Sequence, residues 1–173
     1  MPKTIVALMA GLSAMAVSAA TEKAEMPGIL KGANPAVEGR IDVREAPRGM
    51  LLRISAKGLP PGWHGIHFHE KGTCNDPGFK QSGAHVHEGA TAVHGLLNKE
   101  GNDHGDLPNV YVGPDGVLEA ELFSTFVSLD GAGGRQALRD ADGSALVIHA
   151  NADDHTSQPI GGAGDRIACA VIP

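Results

Sequence analysis

Nine histidines occur in this 173-residue sequence, and all of them fall between His64 and His155. Imidazole is the commonest side-chain metal ligand and also titrates near neutrality, so a confined set points to bound metal or proton transfer. In His67-Phe68-His69 two imidazoles stand two residues apart. On a strand that spacing puts both rings on one face, where they can reach one ion. His64 falls on the opposite face and reads as a core or backbone-bonded histidine. A second group follows: His85, His87, His94, Asp103, His104 and Asp106. Imidazole mixed with carboxylate suits zinc, which takes four ligands in tetrahedral array. His149 closes the apolar run Ala145-Leu146-Val147-Ile148. Taken alone it reads as a buried histidine with ordinary hydrogen bonds. Histidines drawn from several elements also suit copper. These residues describe a metal-binding protein, and not yet a reaction.

The elements around them read as strands. Arg40 to Arg44 alternates, Glu45 to Gly49 has hairpin-turn composition, and Met50 to Ala56 is the return strand. A third strand is expected from Trp63 to Glu70, with further strands at Asn109–Val112, Val117–Phe123, Thr125–Leu129, Ala145–Ala150 and Ile167–Ile172. Residues 71–107 lack periodicity, and a stretch that long inside a compact domain is functional or disordered. A second loop is expected from Asn151 to Asp165. The pattern predicts an all-β fold, a sandwich or flattened barrel of about eight antiparallel strands with two long loops.

At the N-terminus Lys3, the apolar and small residues Ile5 to Val17 and Ser18-Ala19-Ala20 have the layout of a signal peptide over residues 1–20, cleaved near Ala20. Residues 21–38 read as a loose lead-in, and 39–173 as one domain. The apolar run is too short for a membrane anchor, and no other segment is long enough to span. The formal net charge is −6, and loss of Lys3 makes it one unit more negative. An acidic chain without a basic cluster is a poor nucleic-acid binder, so no nucleic acid is expected as a partner, and it repels small anions on average. Cys74 and Cys169 are the only cysteines. In an exported chain an isolated pair is a disulfide candidate, the alternative being two buried thiols.

The segments HGIHFHEKGTC (His64 to Cys74), SGAH (Ser82 to His85), HG (His94 to Gly95), GDLPN (Gly105 to Asn109), VIHANADD (Val147 to Asp154) and GAGDRIACAVI (Gly162 to Ile172) resemble, in order and spacing, the exported bacterial branch of the copper/zinc superoxide dismutase family. The resemblance runs from about Gly39 to the C-terminus. It implies a Greek-key β-barrel that converts superoxide to oxygen and hydrogen peroxide, as antioxidant defence in the periplasm or otherwise outside the cytoplasm. It implies copper at His67, His69, His85 and His149, with His85 bridging to zinc and His94 and Asp106 as zinc ligands. It further implies that Asp153 links the two sites, that Cys74 and Cys169 form the disulfide, and that Arg166 attracts the superoxide anion beside the copper. His85 would carry a proton during the cycle. Assembly as monomer or homodimer stays open.

One position departs from the family pattern. A histidine usually stands three residues before the zinc aspartate, and here that residue is Asp103, while His104 stands two before Asp106. Register favours Asp103 as the last zinc ligand and ligand chemistry favours His104; weakened zinc binding is the third alternative. His87 and His155 read as non-ligands. A copper-handling protein without turnover is disfavoured by the presence of Arg166 with all four copper positions. A zinc hydrolase with Glu70 or Glu88 as base leaves Arg166 unexplained.

Overall fold

The computed structural model describes residues 27–173. Among the described residues eleven strands form, in chain order: β1 (Gly28–Gly32), β2 (Glu38–Ala46), β3 (Gly49–Lys57), β4 (Gly62–His64), β5 (Ile66–His69), β6 (Val110–Val112), β7 (Leu118–Ser124), β8 (Val127–Ser128), β9 (Gln136–Ala137), β10 (Ala145–His149) and β11 (Arg166–Val171). The main sheet has the order β5-β10-β11-β1-β2-β3-β7 and is antiparallel throughout. Three consecutive strands with the last strand returning beside the first, β11-β1-β2-β3, is the Greek-key order. The expected all-β fold is therefore present. Two of its details differ: several strands are only two or three residues long, and the β8–β9 pair is parallel.

Alternation decides which side chains enter the core. Ile41 and Val43 on β2 and Met50, Leu52 and Ile54 on β3 point inward, while Arg40, Arg44 and Arg53 face solvent. On β5 and β10 both faces are buried. Ile66, Phe68, Leu146 and Ile148 join the main core. The alternate residues of β10, Ala145 and Val147, form a smaller cluster with Phe79, Cys74 and Cys169. That outer cluster lies under the long loop, and the Cys74–Cys169 disulfide ties the loop to β11.

Within the expected lead-in, the described residues include a strand. Gly28–Gly32 is β1, hydrogen-bonded between β2 and β11 with Leu30 buried. Glycine at both ends and only two apolar side chains leave no alternation to read, so the neighbouring strands supply the order. The expected third strand is broken at Gly65: β4 pairs with β6, and β5 pairs with β10. Residues 1–20, with the expected signal peptide, lie outside the described residues.

Candidate metal centre

The long loop crosses the open edge of β5 and completes its hydrogen bonding. Val86 N–H donates to Phe68 O, Phe68 N–H to Gly105 O, and Glu70 N–H to Ala84 O. Isolated bridges set His85 opposite His69 and Asp106 opposite His67. Gly105 makes this approach possible: a Cβ there would lie 2.3 Å from Phe68 O. At the far side of β10 the register with β11 shifts between Ile148 and His149, which sets His149 opposite Arg166. Such bulges re-aim side chains beside active sites.

His67, His69, His85 and His149 converge, all buried, with one ligand atom from each lying within 4.8 Å of the others. His67 Nδ1 and the Nε2 atoms of His69, His85 and His149 are buried and have no hydrogen-bond partner. The opposite nitrogens of three rings are engaged. His69 Nδ1–H donates to Gly83 O at 3.0 Å, His149 Nδ1–H to Gly164 O at 3.0 Å, and His67 Nε2–H to an Asp153 oxygen at 2.8 Å. These bonds fix the tautomers, so the free lone pairs face one point. Burial pushes His67 down to about 4, against the opposing Asp153 bond. Burial likewise takes His149 down to about 3 and His69 well below its ordinary value. All three rings are neutral donors at physiological pH.

On the other side of His85 lies a second donor set. His85 Nδ1 is 2.8 Å from Asp103 Oδ2 and 3.2 Å from Asp106 Oδ1; His94 Nδ1 is 2.8 Å from Asp106 Oδ1 and 3.8 Å from Asp103 Oδ2. Tetrahedral bonds of ~2.0–2.1 Å imply donor separations of about 3.3 Å, close to this spread. His67 also falls near His85, His94 and Asp106. Its Nε2 is bonded to Asp153 and its Nδ1 faces the first group, whereas the Asp103 carboxylate lies toward both His85 and His94. Burial opposes protonation of His94, yet the nearby Asp103 carboxylate and the bonds that His94 donates to Asp106 and Asp153 push it up to about 11. His85 is raised too, its carboxylate bonds outweighing burial. Burial would raise Asp103, Asp106 and Asp153, but the histidine bonds hold all three below the usual carboxylate range.

Asp153 joins the two groups, its oxygens lying 2.8 Å from His67 Nε2 and 3.0 Å from His94 Nε2. Arg166 is braced by Phe79 O (2.8 Å), Ser82 Oγ (3.0 Å) and Gly83 O (2.7 Å). Its charge helps depress His69 and His149, and it lines a cleft of about 760 Å³ with Lys80, Gly164 and Asp165. The arrangement offers a buried imidazole set suited to a redox ion, a mixed set suited to a structural ion, and a cation opposite His149 on the neighbouring strand.

The other histidines stay outside both sets. His104 stacks on Phe126 at 5.6 Å with Nε2 3.8 Å from Glu88, so of the two alternatives the fold brings Asp103 to the cluster. His87 Nδ1–H donates to His85 O at 2.8 Å. Both ring nitrogens of His64 face carbonyls, those of His149 and Pro60, as the backbone-bonded reading requires. Sequence reasoning missed Ser82 and Asn109. Asn109 exchanges two amide bonds with the Asp153 backbone; its only sequence signal is its place at the end of Gly105–Asn109.

Residues 37–172 match the family model described as copper/zinc superoxide dismutase (SODC). A Cu-Zn superoxide dismutase of Caulobacter vibrioides is 59% identical over 144 residues, covering 83% of each chain. Cu-Zn superoxide dismutase 2 of Aquifex aeolicus is 42% identical, covering 79% of each. Among solved structures, a superoxide dismutase-like protein from Bacillus subtilis superposes with a TM-score of 0.76 at 34% identity, covering 85% of this chain and 97% of that one.

Proposed function

The chain belongs to the copper/zinc superoxide dismutase family, and on that premise we propose that His67, His69, His85 and His149 hold copper while His85, His94, Asp103 and Asp106 hold zinc. The reaction is the dismutation of two superoxide anions with two protons to oxygen and hydrogen peroxide. One observation carries the copper assignment: four buried imidazole nitrogens, one per ring, have no partner and converge. Leaving a buried polar atom unsatisfied costs about 1–3 kcal/mol, so a fold that keeps four together has an ion for them.

Bound copper would supply the electron acceptor and donor for the two halves of the reaction. The chain's own residues do the rest. Arg166, charged and fixed by three acceptors, draws the anion into the cleft of an otherwise acidic molecule. Asp153, Gly83 O and Gly164 O hold three imidazoles in the donor tautomer. His85 faces one group with Nδ1 and the other with Nε2, and Nε2 is placed to hold a proton destined for peroxide. The carboxylates Asp103 and Asp106 favour a hard or borderline dication on the Nδ1 side.

Export follows from the leader-like residues 1–20 and agrees with the disulfide, a bond that persists in oxidising compartments. N-terminal sequencing of the protein from a bacterial periplasm should begin near residue 21. The central test is metal content and superoxide dismutation after loading the oxidised mature chain. Rapid turnover with one copper and one zinc per chain is the expected result. Copper uptake without turnover would overturn the catalytic assignment in favour of copper handling.

A further inference from the structure

His155 has no place in either donor set, yet its geometry is costly. Its backbone φ is +60°, in the left-handed region that a non-glycine residue enters only when its surroundings demand it. In that conformation its N–H donates to Asp153 Oδ1 at 2.6 Å, and its carbonyl accepts Leu97 N–H at 3.1 Å. The ring is oriented by Asn109, whose Nδ2 lies 3.2 Å from His155 Nε2. An amide nitrogen only donates, so Nε2 is the acceptor and the ring proton sits on Nδ1. Nδ1 is buried without a regular hydrogen bond and faces Asp153 Oδ2 at 3.4 Å.

Each oxygen of the Asp153 carboxylate therefore carries one site imidazole and one group of His155. Oδ1 has His94 Nε2 and the His155 N–H; Oδ2 has His67 Nε2 and faces His155 Nδ1. Two groups of one residue, on the two oxygens, set the plane of the carboxylate. We propose that His155 is a positioning residue: it clamps Asp153 in the orientation that fixes His67 relative to His94, and so governs zinc retention and copper geometry. The backbone bond to Leu97 extends the clamp into the loop that carries His94. This inference rests on the copper and zinc reading of the two groups.

The test uses the full mature chain with His155→Gly, which enters the left-handed region without cost, and His155→Asn, which tolerates it. After loading with copper and zinc, zinc transfer to a colorimetric chelator should quicken about tenfold in both variants, the lower end of what lost outer contacts cost a metal site. The electron paramagnetic resonance spectrum of Cu(II) should also move away from wild type. Wild-type release rate and spectrum in the variants would overturn the clamp, as would lowered thermal stability with neither readout changed. If glycine prevents folding, the asparagine variant is judged by the same two readouts. Failure of the wild-type chain to take up copper and zinc would instead overturn the site assignment itself.

Discussion

Zinc and copper should displace protons from different ring atoms. In the metal-free fold His94 is pushed up to about 11 and His85 is raised, because Asp103 and Asp106 overcome the effect of burial. Zinc must displace the protons those rings hold on Nδ1, so binding at pH 6–8 should release between one and two. Each proton makes affinity vary tenfold per pH unit, or about 2.7 kcal/mol over two units, so zinc affinity should rise about 10² to 10⁴-fold from pH 6 to 8. On the other side, burial holds His67 near 4, His149 near 3 and His69 well below its ordinary value. Those three rings have no proton to lose. Copper added after zinc should release about one, from His85 Nε2. Titration calorimetry in buffers of different ionisation enthalpy counts these protons. Asp103→Asn should lower the zinc count and weaken zinc binding, whereas His104→Asn should change neither. Zinc binding without proton release, or clearly more than one proton released by copper added after zinc, would refute the reasoning.

Arg166→Glu should slow dismutation and flatten its dependence on ionic strength while copper content stays at one per chain; equal activity would remove the guidance role. Gly161→Ala should lower zinc content, because a Cβ there would fall 1.7 Å from Asp153 Oδ1 and 2.9 Å from His94 Nε2, at a φ of +59°; unchanged zinc by mass spectrometry would count against the Asp153 link. Replacing Cys74 and Cys169 together by Ser should cost about 4–5 kcal/mol in urea denaturation, since the bond closes a long loop, and a loss under 1 kcal/mol would contradict that account. The metal-free protein should be most stable near pH 6.5. Below that pH the unfolded chain takes up protons that His67 and His149 refuse, so stability falls toward their values of about 4 and 3. Above it the native chain keeps the His94 proton that the unfolded chain loses, so stability falls again toward about 11. A melting temperature rising steadily from pH 5 to 9 would contradict these signs.

The strand-borne part of the site was legible because strand periodicity is local. His67 and His69 share a face by parity, and Ile66 and Phe68 join the core from the other. The loop-borne part was not, since residues 71–107 owe their path to distant partners. The Asp103 or His104 alternative turns on one residue of offset. Which of the two side chains reaches the cluster depends on Gly105 lying against Phe68 O and on its N–H bonding to Val86 O and Asp103 Oδ1. No local propensity encodes that contact. β1 was hidden for a similar reason, since its order comes from β2 and β11. The clamp on Asp153 joins Asn109, His155 and Leu97 across the fold, which no reading of spacing could assemble.

The site and the fold pull against each other. Without a bound ion, four buried nitrogens lacking partners would cost about 1–3 kcal/mol each, which together approaches the whole net stability of an ordinary domain of about 5–15 kcal/mol. The chain bears this by surrounding the site with constraints that do not depend on metal. β5 is hydrogen-bonded on both edges, by β10 and by the long loop. The loop is held to β11 by the disulfide and by the three bonds of Arg166 to Phe79, Ser82 and Gly83. Those same bonds fix the Arg166 guanidinium, and Gly83 O also orients His69. Stability and function therefore share contacts: what keeps the donor set assembled also aims the charge that serves it. Carbonyls of the two loops, at Gly83 and Gly164, supply tautomer control that strand side chains could not. This explains why the residues of least regular structure lie against the residues of greatest burial.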